Sequence, residues 1–187
     1  SLLAAIEERG GKAVWLAVDI ETLHSGKSLD AAAVAGDPSY TILRINFASH
    51  PDEGITVPFT GAYESAIRRV LASPCTKVLW NWRFDIRRLQ HAGFEIGGRI
   101  LDAKDWWHAL QSDMGGGDDE KEVGSKSGAG SVKGNSLGFV APLLAPGPAP
   151  WKHLGEGETA AAYAAKDAAM TLRIAFALED RLRAESM

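Results

Sequence analysis

The chain has a single cysteine, Cys75, in 187 residues, so it has no internal partner for a disulfide. That excludes a disulfide framework and a cysteine-based zinc cluster, and it leaves a buried structural thiol as the default reading. Long apolar runs are missing too, since nothing approaches the ~18 to 20 residues needed to span a bilayer. The opening SLLAAIEERGGK carries acids where a secretory leader carries bases. These absences predict a cytoplasmic protein with no membrane partner. Positive charge is also scarce: 20 Lys and Arg stand against 24 Asp and Glu, a formal net charge of −4. Such a balance argues against gripping duplex nucleic acid by bulk electrostatics. It leaves room for metal chemistry at a phosphodiester, because carboxylates that hold cations count as formal negatives.

The length and a 45% hydrophobic content suit one ordinary domain spanning 1–187. The spacing of Leu2, Leu3 and Ile6 predicts a short helix over 1–9, and 24–39 read as a small, turn-rich loop. VWLAVDIET (14–22) reads as a buried strand, and TILRINFA and ITVPF as a hairpin closed by PDEG. A helix over Tyr63–Leu71, a short strand at 77–80 and an amphipathic helix from NWRFDIRRLQHAG follow, the last with its bases outside and Gly93 as its cap. RILDAKDWWHALQ gives a further strand and helix, which points to helices packed on a sheet in an α/β layer fold. Residues 112–135 are glycine-rich and lack aromatics, so a long flexible loop is expected there. SLGFVAPLL resumes as a short helix, and 145–158 form a proline-marked connector. A long Ala-rich helix from about Thr159 to Ala184 ends the pattern, with Tyr163, Asp167, Met170, Thr171, Ile174 and Leu178 on one inward stripe.

Four acids stand out by context. In a strand, Asp19 and Glu21 share a face, and two like charges that close resist joint ionisation unless a cation lies between them. Asp85 falls at a helix start, where it can also simply complement the helix dipole. Asp167 lies on a core-facing stripe, where an isolated charge needs a partner. Each alone has an ordinary reading. Together they form a ligand set of the type that holds two divalent cations across a phosphodiester.

In sequence order, D-I-E-T (19–22), N-W-R-F-D (81–85) and Y-A-A-K-D (163–167) resemble the three motifs of the DEDD 3′-5′ exonucleases. The likeness is to the proofreading domain of family A DNA polymerases, and it runs from about residue 13 to the last helix. The tyrosine four residues before the final aspartate matches the DEDDy subclass; the histidine subclass places His five before it, where this chain has Ala162. The resemblance implies a ribonuclease H-like α/β fold with a central mixed five-stranded sheet flanked by helices. It also implies two Mg2+ or Mn2+ ions, held by Asp19, Glu21 and Asp167 for the first and shared by Asp19 with the second, on which Asp85 acts mainly through water. Tyr163 would orient or deprotonate the attacking water. Thr22 and Asn81 would touch the 3′-terminal nucleotide of a single-stranded DNA end, and Arg83 a phosphate. The segment after Glu21 and residues 112–135 depart from the pattern. Proofreading beside a polymerase module, in the same chain or another, is the implied role. The alternatives are an RNA-trimming exonuclease resembling ribonuclease D and a non-catalytic nucleic-acid-binding module of the same fold.

Overall fold

The computed structural model describes residues 14–22, 41–111, 136–145 and 160–185. The expected helix at 1–9, the loops at 24–39 and 112–135 and the connector at 145–158 lie wholly or almost wholly outside them. The strands are β1 (Trp15–Thr22), β2 (Ile42–His50), β3 (Glu53–Pro58), β4 (Thr76–Leu79) and β5 (Ile100–Asp102). The helices are α1 (Gly61–Ala72), α2 (Trp82–His91), α3 (Ala103–Leu110), α4 (Leu137–Leu144) and α5 (Ala160–Glu185). All form one mixed sheet in the order β3-β2-β1-β4-β5, antiparallel across β3, β2 and β1 and parallel across β1, β4 and β5.

Alternation along β1 explains the layering. Val14, Leu16, Val18 and Ile20 face a core that includes Ile67, Val70 and Leu71 of α1 and Ile86 and Leu89 of α2. Ala17 faces the opposite core with Trp107 of α3, Val140 of α4 and Ala168, Leu172 and Ile174 of α5. Both faces are covered, so the central strand is apolar on both sides except where Asp19 and Glu21 point toward the α5 layer. Trp15 starts that row, stacked on Phe176 at 5.2 Å and edge-on to Trp106 at 5.8 Å. These tryptophans pack in the core, as Trp107 does.

The end of α2 is fixed by turn chemistry that the sequence announced. Gly93 closes α2 with φ +80°, its N–H donating to Gln90 O and that of Phe94 to Leu89 O, which is a Schellman cap. Cys75 is buried, with its Sγ 3.1 Å from Ser73 Oγ. Beside it Lys77 is fully buried, its ammonium donating to the carbonyls of Ser73, Cys75 and Gly97. Burial lowers the Lys77 pKa, and Cys75 partly offsets that. Among the described residues, no helix is long and apolar enough to cross a membrane.

The seating of α5 depends on Gly54 of β3. A Cβ there would overlap the Ala165 carbonyl and come within 2.7 Å of its carbon, so helix backbone rests directly on strand backbone. Arg173 pins the same helix to Asp52 in the β2–β3 turn. Gly54→Ala should therefore destabilise the fold by about 1–3 kcal/mol, as overpacking does. Gly61→Ala, where a Cβ meets nothing within 4 Å, is the matched control and should be neutral or stabilising by up to ~1 kcal/mol. Denaturant titration of the two variants reads both, and an unchanged midpoint for Gly54→Ala would contradict the close seating.

Candidate active site

The strand order reverses between β1 and β4: β2 and β3 lie to one side of β1, β4 and β5 to the other. In open α/β sheets such a switch point leaves a crevice at the carboxyl ends of the parallel strands. Here β4 is also short. Its pairing with β1 runs Trp15↔Thr76 to Ala17↔Val78, and β4 ends at Leu79, so β1 continues past it through Asp19, Ile20 and Glu21. The protruding stretch has backbone groups with no β4 residue to meet them, and such groups need a partner. Ile20 N–H finds one in Asp85, donating to Oδ1 at 3.1 Å. Asp85 stands in the first turn of α2, in the layer opposite α5, yet its carboxyl reaches β1 at the gap.

This geometry brings Asp19 and Asp85 into electrostatic contact. Burial pushes the Asp85 carboxyl well above the usual carboxylate range, and the Asp19 charge pushes it further in the same direction. The Ile20 N–H and the Arg88 guanidinium oppose that rise, and Asp102 adds to it. Asp19 itself accepts from Asn46 Nδ2 at 2.7 Å. Glu21 and Thr22 are half-buried at the strand end, where the β1–β2 register shifts between them. On α5, which lies across β1, β2 and β3, Asp167 is buried at 6% exposure. Tyr163, one turn earlier, is half-buried against the α5-side core.

Among the described residues, no three His, Cys, Asp or Glu side chains stand close enough together to hold a metal ion as they are placed. The donor chemistry of the Asp19 and Asp85 pair nevertheless suits a hard divalent cation. Both present oxygens, the Asp19 charge raises the Asp85 pKa, and a bound cation would act in the opposite direction.

Asn81 directly precedes α2. It occupies the N-cap position of α2 but its side chain makes no capping bond, and at φ 74° it is the one non-glycine with positive φ among the described residues. Asn tolerates this left-handed conformation better than most residues do. Asp102 holds it there: its carboxylate accepts from Asn81 N at 3.0 Å, from Trp82 N at 3.0 Å and from Lys104 N at 2.9 Å, which also caps α3. Arg83 is exposed beside the Trp82 ring, 5.2 Å away.

The expectation that the bases of α2 all lie outside is corrected at Arg88. It is 1% exposed, stacked 3.7 Å over the Phe84 ring and donating to Phe84 O, so the aromatic one turn back and its carbonyl offset its burial. Sequence reasoning also passed over Asn46 and Asp102. An Asn inside the apolar run Ile45–Phe47 was a signal, since Asn is depleted in strands. Asp102 was legible as a helix cap, but its reach to Asn81 was not.

No protein-family model matches the chain, and no curated protein does. Solved structures do. The POL domain of Pol1 from M. smegmatis, in complex with DNA primer-template and dNTP, is 18% identical with a TM-score of 0.60, over 98% of this chain and 26% of that one. Brucella melitensis NrnC is 16% identical with a TM-score of 0.59, over 92% and 75%, and is also known with bound Mg2+ and bound to pGG. Escherichia coli RNase D, an exoribonuclease involved in structured RNA processing, is 14% identical with a TM-score of 0.60, over 99% and 44%. The chain thus spans about a quarter of the polymerase chain and under half of RNase D. These likenesses establish the shared architecture: the protein has a ribonuclease H-like α/β fold.

The raised Asp85 pKa has a measurable consequence. The folded protein keeps this proton to higher pH than the unfolded chain, so stability drawn from the neutral carboxyl is full below the ordinary carboxylate range and is lost as pH rises through the folded-state value. Asp85→Asn keeps an acceptor for Ile20 N–H and cannot ionise. It should make the metal-free protein more stable than wild type at neutral pH, with the gap closing in acid. Denaturation midpoints across pH test this, and a wild type that is the more stable at neutral pH would refute it.

Proposed function

We propose that the chain is a divalent-metal-dependent 3′-5′ exonuclease that hydrolyses terminal phosphodiester bonds of single-stranded DNA. The carrying observation is that Asp85, from α2, bonds Ile20 N–H where β1 outruns β4, within electrostatic reach of Asp19. The order and spacing of the three motifs support it, as do nuclease neighbours of the same fold, one of them known with bound Mg2+.

In this reading Asp19, Glu21 and Asp167 would hold one ion, and Asp19 and Asp85 the other. When bound, Mg2+ or Mn2+ supplies charge stabilisation at the phosphoryl oxygens and a more acidic water. Since no three acids are grouped as placed, holding the ion would require the Glu21 and Asp167 side chains to turn toward Asp19. Tyr163, one helical turn from Asp167, orients the attacking water or takes its proton. Thr22 and Asn81 contact the terminal nucleotide at the end of the crevice, and Arg83, exposed on the first turn of α2, a phosphate. The fit of the whole chain to a quarter of a polymerase chain supports a proofreading role beside a polymerase module. A second reading, RNA trimming, is favoured by the equal likeness to RNase D.

End-labelled DNA and RNA strands of one sequence, incubated with Mg2+, decide both questions. DNA should shorten from the 3′ end, and faster than RNA. Asp19→Ala should lower the rate about 100-fold or more, because even partners outside the metal's own ligands cost 10–100-fold. Tyr163→Phe should lower it roughly 10²-fold or more, within the range for a lost proton-transfer group. Equal cleavage by wild type and Asp19→Ala would sink the site. Faster RNA cleavage would transfer the proposal to the second reading, and metal-independent binding without cleavage would leave a binding module.

A further inference from the structure

A polar row crosses the α5-side face of the sheet. Asp19 on β1 is directly opposed to Asn46 on β2, and Asn46 to Thr56 on β3. The apolar residues on that face include Ala17, Ala48, Val78 and Leu101. Asn46 is 0% exposed. Its Nδ2 donates to Asp19 Oδ2 at 2.7 Å, while its Oδ1 is buried without a hydrogen-bond partner, as is Thr56 Oγ1.

Neither packing nor strand propensity accounts for this residue. Leucine has the same branched skeleton and is far more often buried, and an amide with one buried polar atom unpaired carries a desolvation cost of about 1–3 kcal/mol. What the amide supplies and leucine cannot is a donor aimed at Asp19. The aim is enforced: turning the amide over would set Oδ1 against the Asp19 carboxylate, oxygen facing oxygen. Asp19 sits one residue before the Ile20 bond to Asp85, so its backbone and its side chain are each tied from a different strand or helix.

We propose that Asn46 is a positioning residue, which fixes the Asp19 carboxylate in its metal-binding orientation by engaging Oδ2. The inference rests on the reading of Asp19 as a metal ligand, and goes beyond it by naming the group that orients that ligand. Groups that orient metal ligands are typically worth about 10–100-fold in metal affinity.

The test is Mn2+ binding to the full chain, followed by electron paramagnetic resonance of the free ion, with thermal midpoints measured in parallel without metal. Asn46→Leu and Asn46→Ala are compared with wild type and with Asp19→Asn, and the smaller alanine keeps the test open if leucine does not fold. In the expected result Asp19→Asn loses tight binding and the folded Asn46 variants bind Mn2+ about 10–100-fold more weakly. If Asp19→Asn loses binding while the Asn46 variants keep wild-type affinity and only their midpoints move, Asn46 is structural and the proposal falls alone. If Asp19→Asn binds as wild type does, the reading of the site falls, and this inference with it.

Discussion

The structure turns on one hydrogen bond, from the backbone N–H of Ile20 to the carboxyl of Asp85. A central strand that outruns its parallel neighbour leaves backbone groups in a gap, and burying them without partners is costly. The chain answers with a carboxyl from the start of the next helix. A second acid is thereby drawn toward Asp19, and the repair of a backbone defect also raises the Asp85 pKa through the Asp19 charge. The proposed site lies where β1 outruns β4.

The neighbouring groups divide the labour around that place. Arg88, folded under Phe84, supplies positive charge from inside the protein, where solvent screens it little. Asp102 clamps the start of α2 by its N–H groups and so holds Asn81 in a conformation that side chains resist. Asn46 ties Asp19 from the other flank. None of these three belongs to the motifs, yet each acts on a residue that does.

Much of this was legible from the residues. Alternation in 14–22 gave the face on which Asp19 and Glu21 lie, the periodicity of 163–178 gave the buried stripe of α5, and Gly93 announced the end of α2. The mixed sheet of five strands followed from the motif resemblance and is what the fold shows. Tertiary facts were not legible, because local rules carry no information about them. Arginine on a helix reads as solvated unless one knows that Arg88 stacks on Phe84. Asn before a helix reads as a cap unless one knows that a carboxylate 21 residues further on takes its N–H and rotates it out of capping geometry. Asn46 reads as a flaw in a strand until β1 is laid beside it with Asp19 in register.

The contact at Gly54 bears on how such a site can be adjusted. Helix backbone against strand backbone is a spacer of zero thickness, so α5 lies as low over β3 as a polypeptide can. The elevation of Tyr163 and Asp167 above the sheet is therefore set from an edge strand, at a position that contributes no side chain. Anyone wishing to widen or narrow the crevice has a lever there that leaves every motif residue untouched.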